Sequence, residues 1–294
     1  MVTKKLVLGT ANFGNSYGIA STTRSAPMLD KMAARNLYEL ALKLGITNFD
    51  TANNYGPSIQ WLSEFSKQDD VKINSKVSIQ GKSIKVINEE IHSQIKLFES
   101  NDFSCLSLMQ VHNWSGTQEE LETLQGIRDK IFCNHLIDLG ATTYGYEAAL
   151  SALKEFDDVQ IEWNILNQRS YLTIAKRLKE LSSKKKNISV RSILLQGLLT
   201  LDLDQVPIKF KSLIPVIANL HQLIDDAGIS RLEFIIRSFH SLEFAESLVI
   251  GVDNEFQLRE IHEHFQKGPL RNDLTESISK LGSNELELID PRNW

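Results

Sequence analysis

Eight short apolar runs, each followed by a stretch of helical period, predict a single (β/α)8 barrel, the TIM-barrel class. Two further observations favour that fold over a pair of doubly wound domains. No Pro/Gly/Ser-rich linker splits the 294 residues into halves. The turn after the first strand reads LGTANFG, which lacks the Gly-x-Gly-x-x-Gly of a nucleotide-binding sheet. One barrel domain over residues 1–294 is therefore expected, with residues 268–294 as a polar C-terminal tail without a clear period, draped over the barrel exterior or a rim.

The first strand is 6–9 (LVLG), which opens into a loop rich in Asn and Gly before a helical pattern at 32–44. The next strand lies within 46–50, with a helix at 58–65. Residues 71–77 form the third strand, and Ile84, Ile87, Ile91, Ile95 and Phe98 then recur at helical spacing. A fourth strand at 105–111 precedes a helix at 119–128. The fifth and sixth strands fall at 136–139 and 159–163, with a helix at 146–156 between them. Residues 174–181 read as helix and run into the basic SSKKKN, most simply a solvated helix end. The seventh strand is 188–194, followed by helices at 213–226 and 232–241; the eighth is 248–252, followed by a helix at 255–265.

With 42% hydrophobic residues the chain can bury a large core, and its formal net charge of -5 argues against nucleic acid or an anionic membrane surface as the main partner. Cys105 and Cys133 each sit in an apolar, strand-like run, where a small buried hydrophobe is the simplest reading, so neither a metal nor a disulfide is expected. The start, MVTKKLVLGT, has neither a signal-peptide pattern nor a membrane span, and a cytoplasmic setting is expected.

In such barrels chemistry is carried at the carboxyl ends of the strands. The stretch GITNFDTANNYG puts Asp50 where the second strand stops and Tyr55 five residues on, in the same loop. Lys76 closes the third strand and His112 the fourth. Each has a plainer reading: Asp50 as a helix cap, Tyr55 as a turn aromatic, Lys76 as a surface lysine, His112 as a packed rim histidine. Together they form a complementary set on three neighbouring strand ends. A phenol with a free pKa of about 10 needs a nearby cation to act as a proton donor near neutrality. Lys76 is the expected cation, Asp50 would hold its ammonium, and His112 could donate a hydrogen bond to a carbonyl oxygen.

With these residues the chain resembles the aldo-keto reductases. The motifs are GITNFDTANNYG, the lysine of INSKV, the histidine of LMQVHNW, the segment VQIEWNILNQ and the loop LLQGLLT, and the likeness runs from Leu6 to Ile261. It implies NADP(H)-dependent reduction of an aldehyde or ketone on a (β/α)8 barrel, with Tyr55 as general acid and Asp50, Lys76 and His112 in support. It also implies a small-molecule carbonyl substrate, with a sugar-like one suggested by GTANFG and LLQGLL. For the cofactor, the matching positions are Gln160 and Asn164 near the nicotinamide carboxamide, Thr142 and Thr143 where the family often has Ser-Asn, Leu195, Gln196, Gly197 and Leu198 along the pyrophosphate, and Gly251, Asp253 and Gln257 near the adenosine phosphate.

Two positions depart from the family pattern. Arg191 stands where many members stack an aromatic under the nicotinamide; a guanidinium there should favour the reduced cofactor. Asp253 stands where NADP-selective members supply a basic side chain, which opens NAD(H) as the alternative, unless Arg259 or another group builds a phosphate site. Asn12, Phe13, Tyr17 and Gly18 of the opening loop face the pocket beside Trp114 or pack as ordinary loop aromatics. The competing functions are a nucleotide-binding barrel acting as a sensor or accessory subunit, and a Schiff-base lyase using Lys76.

Overall fold

In a computed structural model, residues 3–16, 28–66, 70–100, 103–131, 137–167, 186–282 and 287–294 are described. The barrel strands are β1 (Lys5–Gly9), β2 (Asn48–Asp50), β3 (Lys72–Val77), β6 (Leu106–Trp114), β7 (Asp138–Thr143), β8 (Asp158–Glu162), β9 (Asn187–Arg191) and β10 (Ser247–Gly251). Between β3 and β6, β4 (Glu99–Ser100) and β5 (Phe103–Ser104) pair antiparallel outside the barrel. Around the circle the order is β1-β10-β9-β8-β7-β6-β3-β2, and every ladder in it is parallel. Each barrel strand therefore pairs with its predecessor and successor in sequence, the last closes on the first, and all carboxyl ends emerge at one rim.

The helices are α1 (Lys31–Lys43), α2 (Ser58–Phe65), α3 (Ile84–Phe98), α4 (Gln118–Ile131), α5 (Tyr146–Glu155), α6 (Ile214–Ala227), α7 (Arg231–Ser238), α8 (Glu255–Gln266) and α9 (Asn272–Lys280). Their starts are written in the sequence. Asp30, Ser83, Ser230 and Asn254 each accept a backbone N–H from the first turn of α1, α3, α7 and α8. Gly228 ends α6 at φ 69°, a left-handed C-cap that favours glycine. Tyr38 of α1 stacks on Phe49 of β2, ring centroids 4.7 Å apart, so the first helix is keyed to the strand that delivers Asp50. Among the described residues no helix is long and apolar enough to cross a membrane.

The structure departs from the sequence reading at several boundaries. The fifth strand starts at Asp138 and runs to Thr143 rather than ending at 139. The seventh stops at Arg191 because Ser192 turns to φ 64°, and a 3-10 segment, Leu195–Thr200, follows. The tail carries α9, whose buried residues are Leu274 and Ile278; one i,i+4 pair is too short an apolar stripe to announce a helix. The helix expected at 174–181 and Cys133 lie outside the described residues. Cys105 is a buried thiol 3.2 Å from Ser66 Oγ.

Deep in the barrel Gly140 of β7 is fixed by close approach. A Cβ there would stand 2.7 Å from the carbonyl oxygen of Asp158 and 3.2 Å from Cγ of Gln110. Gly140→Ala is thus expected to destabilise the fold by about 1–3 kcal/mol, the usual cost of overpacking. Denaturant unfolding beside the parent chain measures it, and an unchanged midpoint would show that the strands yield at no cost.

Candidate active site

Asp50 is delivered by β2 and clamped from behind. Its carbonyl accepts Thr10 N–H and Thr10 Oγ1, each at 2.9 Å, and Thr10 Oγ1 and Thr51 Oγ1 both meet the Ser58 hydroxyl, at 2.7 and 3.0 Å. The carboxylate is filled on both oxygens. Lys76 Nζ donates to Oδ1 at 2.5 Å and Gln160 Nε2 to Oδ2 at 2.8 Å. The ammonium also donates to Thr51 O at 2.8 Å. At 1% and 4% side-chain exposure, Lys76 and Asp50 form a buried, hydrogen-bonded ion pair.

Tyr55 lies in the turn after β2, its N–H bonded to Ala52 O at 3.0 Å. Gly56 beside it leaves room for Asn15, whose Oδ1 would be 2.8 Å from any Cβ. The Tyr55 ring centroid is 5.2 Å from Lys76 Nζ and 6.4 Å from the His112 ring, which meets it edge-on. His112 is re-aimed by an irregularity in the β6–β7 ladder: the register slips between Val111 and Trp114, Asn113 takes φ 59°, and its N–H donates to Thr142 Oγ1 at 2.9 Å. The structure thus brings Asp50, Tyr55, Lys76 and His112 to one corner of the rim.

Burial sets the protonation of this corner. It raises the Tyr55 phenol well above its ordinary range, the Asp50 carboxylate pushes the same way, and the Arg191 guanidinium opposes them. The Lys76 ammonium is held by Asp50 and Thr51 O while lying 5.2 Å from the Tyr55 ring centroid, and it forms an ion pair with the carboxylate. Burial also lowers Lys76, against the pull of Asp50. His112 is pushed down to about 3 by burial first and then by Lys76 and Arg191, so its ring is neutral near pH 7.

Asp50 and Tyr55 form one end of a cavity of about 610 Å³. Arg191, Gln196 and Gly197 also line it, as do Arg231 of α7 and Gln257 and Glu260 of α8. The loop after β9 reaches it by an unusual path, with Leu195, Gln196 and Gly197 at φ 47°, 54° and 94°. Arg191 is held at the wall by hydrogen bonds to Thr143 O (3.0 Å) and Ser192 Oγ (3.2 Å) and lies 3.9 Å from the Tyr144 ring centroid. Arg292 of the tail approaches the same ring to 4.3 Å.

Of the positions matched to cofactor binding, Arg191, Gln196, Gly197, Gly251, Asp253 and Gln257 line the cavity. Leu195 and Leu198 do not; both are fully buried in the core, and Leu194 and Leu201 flank the space instead. Thr142, Thr143, Gln160 and Asn164 are buried at the ends of β7 and β8, outside the cavity wall. Phe13 and Trp114 are core residues, while Asn12 reaches the cavity and donates to Val252 O and Asp253. Tyr17 and Gly18 lie outside the described residues. Sequence reasoning passed over Tyr144, which the strand-end rule does flag, and over Arg231 and Glu260, which sit on helices where that rule is blind.

A closed parallel barrel with this polar corner defines a barrel enzyme, and comparison with known sequences narrows the class. The profile of the Aldo/keto reductase family matches residues 5–283. The chain belongs to the aldo/keto reductase family, and with it to the oxidoreductases. Among solved structures it is similar to an aldo-keto reductase from Bacillus halodurans in its holo form, at 17% identity over 95% of this chain and 92% of that one, TM-score 0.74. The glycerol dehydrogenase of Gluconobacter oxydans is similar at 16% identity over 93% and 89% of the two chains, TM-score 0.67. These likenesses are of fold. No curated protein matches in sequence.

Two outcomes follow from the buried charges. An imidazole lowered to about 3 in the fold and near 6.5 when unfolded binds its proton first in the unfolded chain, so this contribution to stability is whole above pH 6.5 and drains away toward pH 3. NMR of the His112 ring should accordingly show no titration between pH 5 and 8. Lys76→Met, which strands the Asp50 carboxylate, should cost about 3–5 kcal/mol in denaturant unfolding, with part recovered on adding Asp50→Asn.

Proposed function

We propose that this chain is an NAD(P)H-dependent reductase of an aldehyde or ketone, a sugar-like carbonyl compound being the favoured class, with Tyr55 as the proton donor. The observation that carries the reading is one phenol ring that lines the cavity and is set against both Lys76 and His112.

Among the described residues Thr143 Oγ1, Gln160 Oε1 and Asn164 Nδ2 are buried without hydrogen-bond partners at the ends of β7 and β8; they lie outside the cavity wall, and they would meet a carboxamide only if the nicotinamide seats deeper than that wall. Gly197 at φ 94° offers bare backbone to the cavity, as a pyrophosphate requires. When bound, the cofactor supplies the hydride.

The protein's part is positional and electrostatic. Neutral His112 can donate a ring N–H to the carbonyl oxygen and hold it at the phenol. Tyr55, kept protonated by burial, has a proton to give as negative charge develops on that oxygen. Arg191 is the cation whose field favours the phenolate left behind, while Asp50 and Lys76 fix the corner in which the ring sits. Restoration of the phenol from solvent completes the cycle.

Tyr55→Phe keeps the ring and removes the proton. Consumption of NADPH or NADH with an aldehyde and sugar panel should fall by about 10²–10⁴-fold, the usual worth of a general acid. Cofactor binding, followed by fluorescence quenching, should stay near the parent value. Turnover at the parent rate would remove Tyr55 from its role, and quenching without turnover in the parent chain would favour a sensor.

A further inference from the structure

The cavity has two unlike ends, and the outer one bears on which dinucleotide fits. We infer that the chain takes NAD(H) in preference to NADP(H), and that Asp253 is the residue that selects it. This rests on the reductase reading above. A hydride donor must reach the same carbonyl that Tyr55 protonates, so the nicotinamide end belongs at the barrel mouth. The cavity lined by Asp50 and Tyr55 is also lined by Asp253, Gln257 and Glu260 from the turn before α8 and from α8 itself, and by Arg231 from α7, so a dinucleotide extended through it brings its adenosine ribose to these walls.

The charges on those walls decide between a ribose hydroxyl and a phosphate. Asp253 sits in the turn between β10 and α8, its N–H donating to Gln257 Oε1 at 2.8 Å. Its carboxylate receives only long contacts, 3.3 Å from Asn12 Nδ2 to one oxygen and 3.5 Å from Gln257 Nε2 to the other. It keeps acceptor capacity for the two hydroxyls of a neutral ribose diol, which are donors. A 2′-phosphate brings only acceptors and up to two negative charges to the same place, and Glu260 adds a second carboxylate to the wall.

The cations nearby do not offset this. Arg231 donates to Asp202 Oδ1 at 2.8 Å and to Thr200 O at 3.3 Å, so its charge is matched by a carboxylate. Arg259 is exposed on α8 and is not part of the wall. The amino end of α8 could attract an anion, but Asn254 already accepts the Gln257 N–H there and Glu255 occupies the first turn.

Titration of the full chain with NADH and with NADPH, by quenching of tryptophan fluorescence or by calorimetry, tests the inference without any substrate. NADH should bind at least about tenfold more tightly, a modest price for placing a dianion among carboxylates. Raising the salt should weaken the discrimination, because it screens the repulsion. Asp253→Ser and the near-isosteric Asp253→Asn should each narrow the NADH-to-NADPH ratio, chiefly by strengthening NADPH. Equal or tighter NADPH binding by the parent chain overturns the inference, as does a ratio that neither variant moves. Failure of both nucleotides to bind would bring down the reductase reading along with it, whereas tight NADPH binding would leave that reading intact and reject only the selection.

Discussion

The architecture of the mouth depends on one buried ion pair. Asp50 and Lys76 meet at 2.5 Å with almost no access to solvent, a placement that costs desolvation energy on both partners. The cost is contained because both carboxylate oxygens and two of the ammonium protons have partners. Gln160 takes the second carboxylate oxygen and Thr51 O takes another ammonium proton. The pair joins β2 to β3, and Gln160 reaches it from β8, so three strands agree on one geometry before any ligand is considered. An apolar trio of similar volume could pack the same space, but it would not orient a phenol.

The pair also explains why the corner is electrostatically quieter than a list of its residues suggests. Four titratable groups lie together, yet the ammonium and carboxylate are paired, the imidazole is neutral and the phenol is protonated. Arg191 adds a further positive charge that bears on Tyr55, Lys76 and His112 alike, after Asp50 on the phenol and the ammonium and after Lys76 on the imidazole.

Much of the barrel was legible because its strands alternate with amphipathic helices and its caps are polar residues at the right spacing. The strand-end rule located Asp50, Tyr55, Lys76 and His112, since chain order alone puts those positions at one rim. It could not tell which side of a turn a residue faces: Leu195 and Leu198 point into the core because the backbone of this loop enters the left-handed region, a property three non-glycine residues did not advertise. The bulge that aims His112 is likewise a matter of register rather than composition. The helix in the tail was hidden by its single apolar pair.

The Tyr144 ring has a consequence of its own. It carries Arg191 on the cavity wall and also receives Arg292, itself braced by Asp290, while Trp294 lies against Phe210. The chain's last residues thereby brace the wall from behind, and one aromatic plate, far in sequence from them, joins that brace to the guanidinium lining the cavity.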